Sequence, residues 1–570
     1  MEYCIRIKVK INYNLIFIQE GIVVEIQEIN KKIEEKKHTV NHYAKRILFS
    51  GVWITALLIV IEFVLLIGIF YAFSEYSNFI FEAMVITGAI VMIYIINEQS
   101  NPAYKIAWII PIMLFPLVGS MLYLFVKFNF GNIAAKGVVQ KNIKDTAEYA
   151  KTSKEIREEI ESEESKFLKV ATYIEQAGGY PVWKNTSMKY YPLGDEIFEP
   201  ILEMLENAKE YIFLEFFMIE EGKFWNSILE ILERKAKEGL DVRLIYDDYG
   251  CVALLPRKYH VLLNKKGIKA KKYARLTPFL STHLNNRDHR KMIIVDGKTA
   301  MSGGINLCDE YINAYEKYGH WKDNGFIITG DAVYNYTLMF LQMWHTMTIG
   351  GAEDYKKYLK RTPVIKKSDD KIDLGINEET KTDIHNMLPG YVIPYGDGPH
   401  QEENVAEQVY MDIISRATKY VYIMTPYLIL DHEMKQNLMH ASKSGVDVRI
   451  IMPHIPDKKA VFAVARTYYP QLIKSGININ EYTPGFVHAK TFLADDEVAV
   501  VGTINLDFRS MYLHYECGSL FYRTEGLTDI KADFMDMFDK CQQITMKDYY
   551  HFPIWFKLMG RIFRIFGPLL

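Results

Sequence analysis

The sequence predicts a duplicated α/β protein: two similar halves related by a pseudo-twofold axis, preceded by an N-terminal transmembrane helical region. Three observations carry that prediction. From Tyr191 onward, helix-prone and β-rich apolar segments alternate, as they do in a layered α/β domain. The order of those segments then repeats. Asn207–Glu221 has a counterpart in Arg416–Leu430, Gly239–Ile245 in Gly445–Ile451, and Gly267–Tyr273 in Gly476–Tyr482. Ahead of both halves lie three apolar runs, at about 48–73, 79–97 and 106–126, each near the roughly 20 residues that span a bilayer.

Residues 1–47 form an N-terminal extension. Its start alternates apolar and polar positions (Ile5, Ile7, Val9, Ile11) and lacks the features of a signal peptide. Region 48–127 is expected to anchor the protein in the cell membrane as a multi-pass segment. Glu62 lies inside the first run, where a charge is costly, and Pro111 and Pro116 interrupt the third. Basic residues flank both ends of the region (Lys45, Arg46; Lys136, Lys141), so the positive-inside rule does not choose an orientation.

Residues 128–175, with the charged run Lys154–Glu161, read as a solvated helical linker. The halves are expected at 176–351 and 396–548, separated by a Pro- and charge-rich linker at 352–395 that holds the basic stretch Arg361–Lys367. In the last segment, 549–570, Lys557, Arg561 and Arg564 form one basic stripe on a helix, with Trp555, Leu558 and Ile562 around the rest. Such a helix suits an anionic membrane surface, and packing onto a core is its rival.

Composition narrows the function. The 570 residues are 49% hydrophobic and carry a net charge of −3, which gives no electrostatic case for a nucleic-acid partner. The five cysteines (Cys4, Cys251, Cys308, Cys517, Cys541) are far apart and form no C-x-x-C pair, so neither a disulfide framework nor a zinc cluster is indicated. His283, His289 and His320 also lack zinc-site spacing.

The chemistry lies in a motif that occurs twice. His289, Lys291, Asp296, Gly303 and Asn306 recur at identical intervals as His488, Lys490, Asp495, Gly502 and Asn505. A lone H-x-K is noise, but each further fixed position lowers chance agreement by roughly fifteen- to twenty-fold. On an extended strand, residues i and i+2 share a face, so each histidine and its lysine are expected to point into one site. A neutral imidazole is a usable nucleophile near pH 7. The lysines offer fixed positive charge and the asparagines neutral donors for the oxygens of an anionic phosphorus. Gly303 and Gly502 are read as letting backbone approach a ligand. Asp296 and Asp495 complete the motif and are expected to tie strand end to turn rather than touch substrate. Two facing copies supply a nucleophile and a general acid. Downstream of each motif stands an acid able to orient that motif's imidazole: Asp323 in the first half and Glu516 in the second. No metal or other cofactor is required, because two lysines and an imidazolium already supply the cationic charge.

The paired H-x-K-x4-D-x6-G-x2-N pattern resembles the phospholipase D superfamily. Over roughly 44–570 the chain is similar to bacterial cardiolipin synthases, in NPAYKIAWIIPIMLFPLVGSMLYLF, GGINLCDEY, TPYLILD and GTINLDFRSMYLHYE. That resemblance implies two phospholipase D-like α/β sandwich halves and a covalent phosphohistidine. It implies transfer of a phosphatidyl group from one phosphatidylglycerol to another, with cardiolipin and glycerol as products. It favours His289 as nucleophile and His488 as acid then base, a choice the symmetric pair itself leaves open. Asp323, Glu516 and Glu215 match acidic positions of the family. Asp288 and His514 depart from it, standing where asparagine is frequent. A hydrolytic phospholipase D, with water as acceptor, shares every catalytic group and stays open as an alternative.

Overall fold

The computed structural model describes residues 64, 68, 77–127, 130–163, 165–274, 286–348, 352–359 and 390–569. The extension 1–47, the first apolar run apart from two positions, and Arg361–Lys367 lie outside the described residues. The chain divides into two compact units, one of residues 1–90, 115–121 and 277–280, the other of 91–114, 122–276 and 281–570. Described residues of the first unit include 77–90 of the helix Ser77–Asn97 (α1) and 116–121 of the helix Pro116–Lys127 (α3).

The second unit holds both sheets. The first half contributes strands Thr186–Tyr191 (β1), Tyr211–Phe216 (β2), Asp241–Asp247 (β3), Lys269–Tyr273 (β4), Arg287–Asp288 (β5), Lys291–Val295 (β6), Thr299–Gly303 (β7), His320–Lys322 (β8) and Gly325–Gly330 (β9). The second contributes Tyr391–Asp397 (β10), Tyr420–Met424 (β11), Asp447–Pro453 (β12), Asn478–Tyr482 (β13), Gly485–Val487 (β14), Thr491–Ala494 (β15), Val498–Gly502 (β16), His514–Tyr522 (β17) and Cys541–Ile544 (β18).

The first sheet runs β1-β9-β7-β6-β2-β3-β4 and the second runs β10-β17-β16-β15-β11-β12-β13-β18. In each, three parallel strands continue into an antiparallel set, so the duplication read from sequence is a duplication of topology. Strands such as Met292-Ile-Ile-Val295 are buried on both faces, which explains their unbroken apolar runs. Phe326 of β9 and Phe521 of β17 meet edge to face, with centroids 5.1 Å apart, in a core that both halves share.

Several expectations are corrected. The third apolar run is two short helices, Pro102–Leu114 (α2) and α3, broken at Phe115 ahead of Pro116. At 1.5 Å per residue, the 13 residues of α2 reach only about 20 Å, short of a hydrocarbon core of about 30 Å. Among the described residues no helix is long and apolar enough to cross a membrane, so the expected multi-pass anchor is not seen there. The end of the expected solvated linker is core: Phe167, Leu168, Val170, Ala171 and Ile174 are buried. Residues 391–395, read as the close of the inter-half linker, begin β10.

The C-terminal segment forms the helix Ile554–Arg564, and one side of it packs on the core. Gly560 is buried where any side chain would overlap the Ala463 carbonyl, and the Arg564 guanidinium lies 4.0 Å from the Tyr468 ring centroid. Ile554, Trp555, Leu558 and Ile562 remain exposed.

Candidate active site

Each motif histidine sits where a short strand of its own half hooks onto the other half. Strand β5 pairs in parallel with the start of β17, and the His289 amide donates to the Tyr515 carbonyl at 2.9 Å. Strand β14 pairs in parallel with β8, and the His488 amide donates to the Lys322 carbonyl at 2.7 Å. The next residue on each partner strand is the acid. His289 Nδ1 therefore donates to Glu516, at 2.9 Å to Oε1, and His488 Nδ1 donates to Asp323 Oδ2 at 2.6 Å. The expectation that each acid serves the histidine of its own half is overturned. The carboxylates are exchanged, because the cross-half strand pairs bring the partner half's acid to each ring.

Both lysines turn back on their histidines. Lys291 Nζ donates to the His289 carbonyl at 2.6 Å, and Lys490 Nζ donates to the His488 carbonyl. The site is almost closed to water, with each histidine 7% exposed and Glu516 and Asp323 fully buried. Burial pushes His289 well below the ordinary imidazole value, although Glu516 opposes it. Burial and then the Lys490 charge lower His488 to about 4, against Asp323. Burial also brings Lys291 down to about 8 and Lys490 to about 7, so their charge is not fixed as expected but titrates near neutrality. For Glu516, burial works toward a higher value, and His289 and His514 outweigh it, holding the carboxyl below its usual range. Lys291 acts on both His488 and Lys490, so the two motifs share one electrostatic site.

The structure does not bring the rest of the motif to the rings. Asp296 accepts the amides of Lys209, Glu210 and Tyr211 at 2.7–2.8 Å. Asp495 accepts those of Thr418, Lys419 and Tyr420 at 2.8–3.0 Å. Each ties the far end of its strand to the neighbouring strand, away from the rings. Gly303 and Gly502 serve strand contact rather than ligand approach, since a Cβ on either would overlap the backbone of Asn324 or Cys517. Asn306 receives the Met218 amide at 3.1 Å and donates to Tyr311 Oη at 2.7 Å. Asn505 donates to Ser510 Oγ at 3.0 Å and keeps its buried Oδ1 without a hydrogen-bond partner. Glu215 is a structural ion-pair partner, 2.8 Å from Arg290 Nε, and Arg290 also holds Asp288 at 3.3 Å.

Sequence reasoning missed the walls. Phe217 packs on His289 with centroids 5.0 Å apart, and Tyr311 and Trp321 pack on His488 at 5.3 and 5.7 Å. Trp321, two residues before Asp323 on an extended stretch, was within reach of the same-face rule. Thr503, which donates to Glu516, directly follows a motif glycine. Nothing in the sequence pointed to Phe217.

The family model described as "Cardiolipin synthase, PLD-like domain" matches residues 201–344 and 410–540, one span in each half. A second model, "Phospholipase_D-nuclease N-terminal", matches 86–127. The chain belongs to the cardiolipin synthase-like family of the phospholipase D superfamily. Among members of that family, it is 32% identical over 481 residues to a cardiolipin synthase of Geobacillus sp. (strain WCH70), covering 83% of this chain and 90% of that one. It is 30% identical over 484 residues to the cardiolipin synthase of Alkalihalophilus pseudofirmus, covering 84% and 91%. An uncharacterized protein of Streptococcus mutans is 42% identical over 482 residues, covering 84% and 99%. The fold is similar to that of the phosphatidylserine synthase of Haemophilus influenzae Rd KW20, with a TM-score of 0.52 and 15% identity over 71% of this chain and all of that one.

Proposed function

We propose that this family member is a membrane-associated phosphatidyltransferase that makes cardiolipin from two phosphatidylglycerols. The observation carrying the reading is the exchanged pair of buried histidine–carboxylate couples in one cationic site. A carboxylate on Nδ1 holds the proton there and leaves the Nε2 lone pair free for attack. His289 Nε2 bonds to phosphorus while the glycerol oxygen leaves with the proton of His488 Nε2. His488 then takes the proton of a second phosphatidylglycerol hydroxyl, whose oxygen bonds to phosphorus and frees His289. One phosphodiester replaces another, so no nucleotide or metal enters the balance. An anionic phosphodiester in the site raises the depressed pKa values of His488 and the lysines, loading the acid as substrate binds.

Two features support a lipid acceptor at a membrane. The closed site leaves little room for bulk water, which favours the lipid alcohol over hydrolysis. Ile106, Met113 and Leu114 on α2, and Ile554, Trp555 and Leu558 on the C-terminal helix, offer large exposed apolar groups suited to lipid. The deciding experiment supplies labelled phosphatidylglycerol in liposomes to the purified protein. Cardiolipin with an equivalent of glycerol is expected; phosphatidic acid without cardiolipin would assign a hydrolase instead.

A further inference from the structure

His514 is unlike its neighbours in the site. Both of its ring nitrogens are buried and lack a hydrogen-bond partner. Glu516 Oε1 stands 3.8 Å from its Nδ1, beyond hydrogen-bond reach, and its ring centroid is 5.5 Å from that of His289. A buried polar group left without a partner costs about 1–3 kcal/mol. That imidazole is poised for a ligand that protein groups do not supply.

Geometry limits what the ligand is. One donor atom each from His289, His514 and Glu516 lies within 4.8 Å of the others. His289 Nδ1 and Glu516 Oε1, 2.9 Å apart, are now bridged by a proton. Around a tetrahedral ion with bonds of about 2.1 Å, donors stand about 3.4 Å apart, so a shift of about an ångström in His514 closes the set. Two imidazoles and one carboxylate suit zinc, copper or nickel, whereas magnesium and calcium require mainly oxygen donors.

We propose that His289, His514 and Glu516 form an inhibitory site for a borderline divalent transition ion such as zinc. The ion takes the Nδ1 lone pair of His289, and the proton that rested on Nδ1 relocates through solvent to Nε2. No net proton is gained or lost. Nε2 then carries a hydrogen and has no lone pair to offer phosphorus, while Glu516 is occupied by the ion. The site is thereby a switch that blanks the nucleophile by fixing the wrong tautomer, and turnover itself needs no metal. This inhibitory consequence rests on the function proposed above; the binding does not.

The test uses the purified full chain in phosphatidylglycerol liposomes after chelator treatment. Binding is read by the visible absorption of Co2+ and inhibition by Zn2+ titration. Micromolar Zn2+ is expected to suppress turnover, with recovery on adding chelator, while equal Mg2+ or Ca2+ has no effect. His514→Asn and His514→Gln, confirmed folded by thermal melting, are expected to lose the Co2+ signal of this site. Each should raise the half-inhibitory Zn2+ concentration at least tenfold relative to its own ion-free rate. Unchanged Zn2+ sensitivity in both variants overturns the proposal. So does relief by Cys308→Ser, which would place the ion at the separate donor cluster of Glu220, Cys308 and Glu310. If the wild type turns over only with an ion present, the metal-free mechanism proposed above fails, and the Co2+ signal alone still decides the site.

Discussion

Glu516 Oε1 lies 2.9 Å from Nδ1 of His289, although the two residues stand 227 positions apart and on opposite halves. The mirror relationship joins Asp323 to His488 across the same boundary. Neither motif histidine takes its carboxylate from its own half, so both halves must be folded together before either ring is oriented. Glu516→Gln and Asp323→Asn keep shape but replace an acceptor-only carboxylate with an amide whose NH2 can face Nδ1 and favour the other tautomer. Each is expected to lower kcat by roughly 10³–10⁴-fold, by analogy with the orienting acid of a catalytic triad. Single-turnover measurements on protein with an unchanged melting temperature check this.

The two histidines are expected to differ in role. With a substrate whose leaving group needs no acid, His488→Ala should accumulate phosphorus-labelled protein, with the label on His289 after acid-free proteolysis. Label on His488 in the reciprocal His289→Ala protein would reverse the assignment.

Gly304 occupies the position after a motif glycine, where the second half has Thr503. A Cβ at Gly304 would overlap the Asp323 carboxylate. Gly304→Ala is expected to displace Asp323 from His488 and cut turnover by about a hundredfold or more, as small misplacements of catalytic groups do. The corresponding change in the second half, Thr503→Ala, removes a donor to Glu516 and an acceptor of the Cys517 amide but pushes nothing into the carboxylate, and should cost far less. Rates of the two variants, measured side by side, separate the effects.

Activity should fall on the alkaline side. Burial lowers Lys490 to about 7 and Lys291 to about 8, so the free enzyme loses its phosphate-binding charge as pH rises through that window. The profile of kcat/KM, which reports the free enzyme, is expected to decline from about pH 7. The kcat profile should decline later, because bound anion raises both lysines. Coincident limbs would contradict that linkage.

Stability carries its own pH signature. Burial, then the Asp431 carboxyl, raise Glu407 from 4.5 to about 9. The pair is bonded to Tyr512 Oη, and Asn101 Nδ2, just ahead of α2, donates to Asp431 at 3.0 Å. The folded form keeps a proton that the unfolded chain releases above about pH 4.5. This group's contribution is therefore full at acid pH and wanes as pH climbs toward 9. Glu407→Gln should flatten the dependence of Tm on pH between 5 and 9.

Much of this was legible before any coordinates. Two copies of one five-point motif, in two copies of one segment order, are enough to specify duplicated α/β halves and the four groups His289, Lys291, His488 and Lys490. Periodicity and spacing are local quantities, and a strand's burial and the same-face rule follow from them directly. Local pattern also favoured keeping Asp296 and Asp495 away from substrate, where they now hold backbone amides. Hydropathy alone counted the third apolar run as one span, whereas Pro116, already read as an interruption, starts a second helix.

What only the tertiary structure decided is which acid meets which ring. That pairing arises from strand hooks between halves, β5 on β17 and β14 on β8, whose register no intrachain spacing encodes. The same non-local contact sets His514 against His289 and desolvates both lysines. Residue type determined what these groups can do; burial at the junction of the halves determined their protonation and their partners, because pKa and hydrogen bonding respond to surroundings assembled from hundreds of residues away.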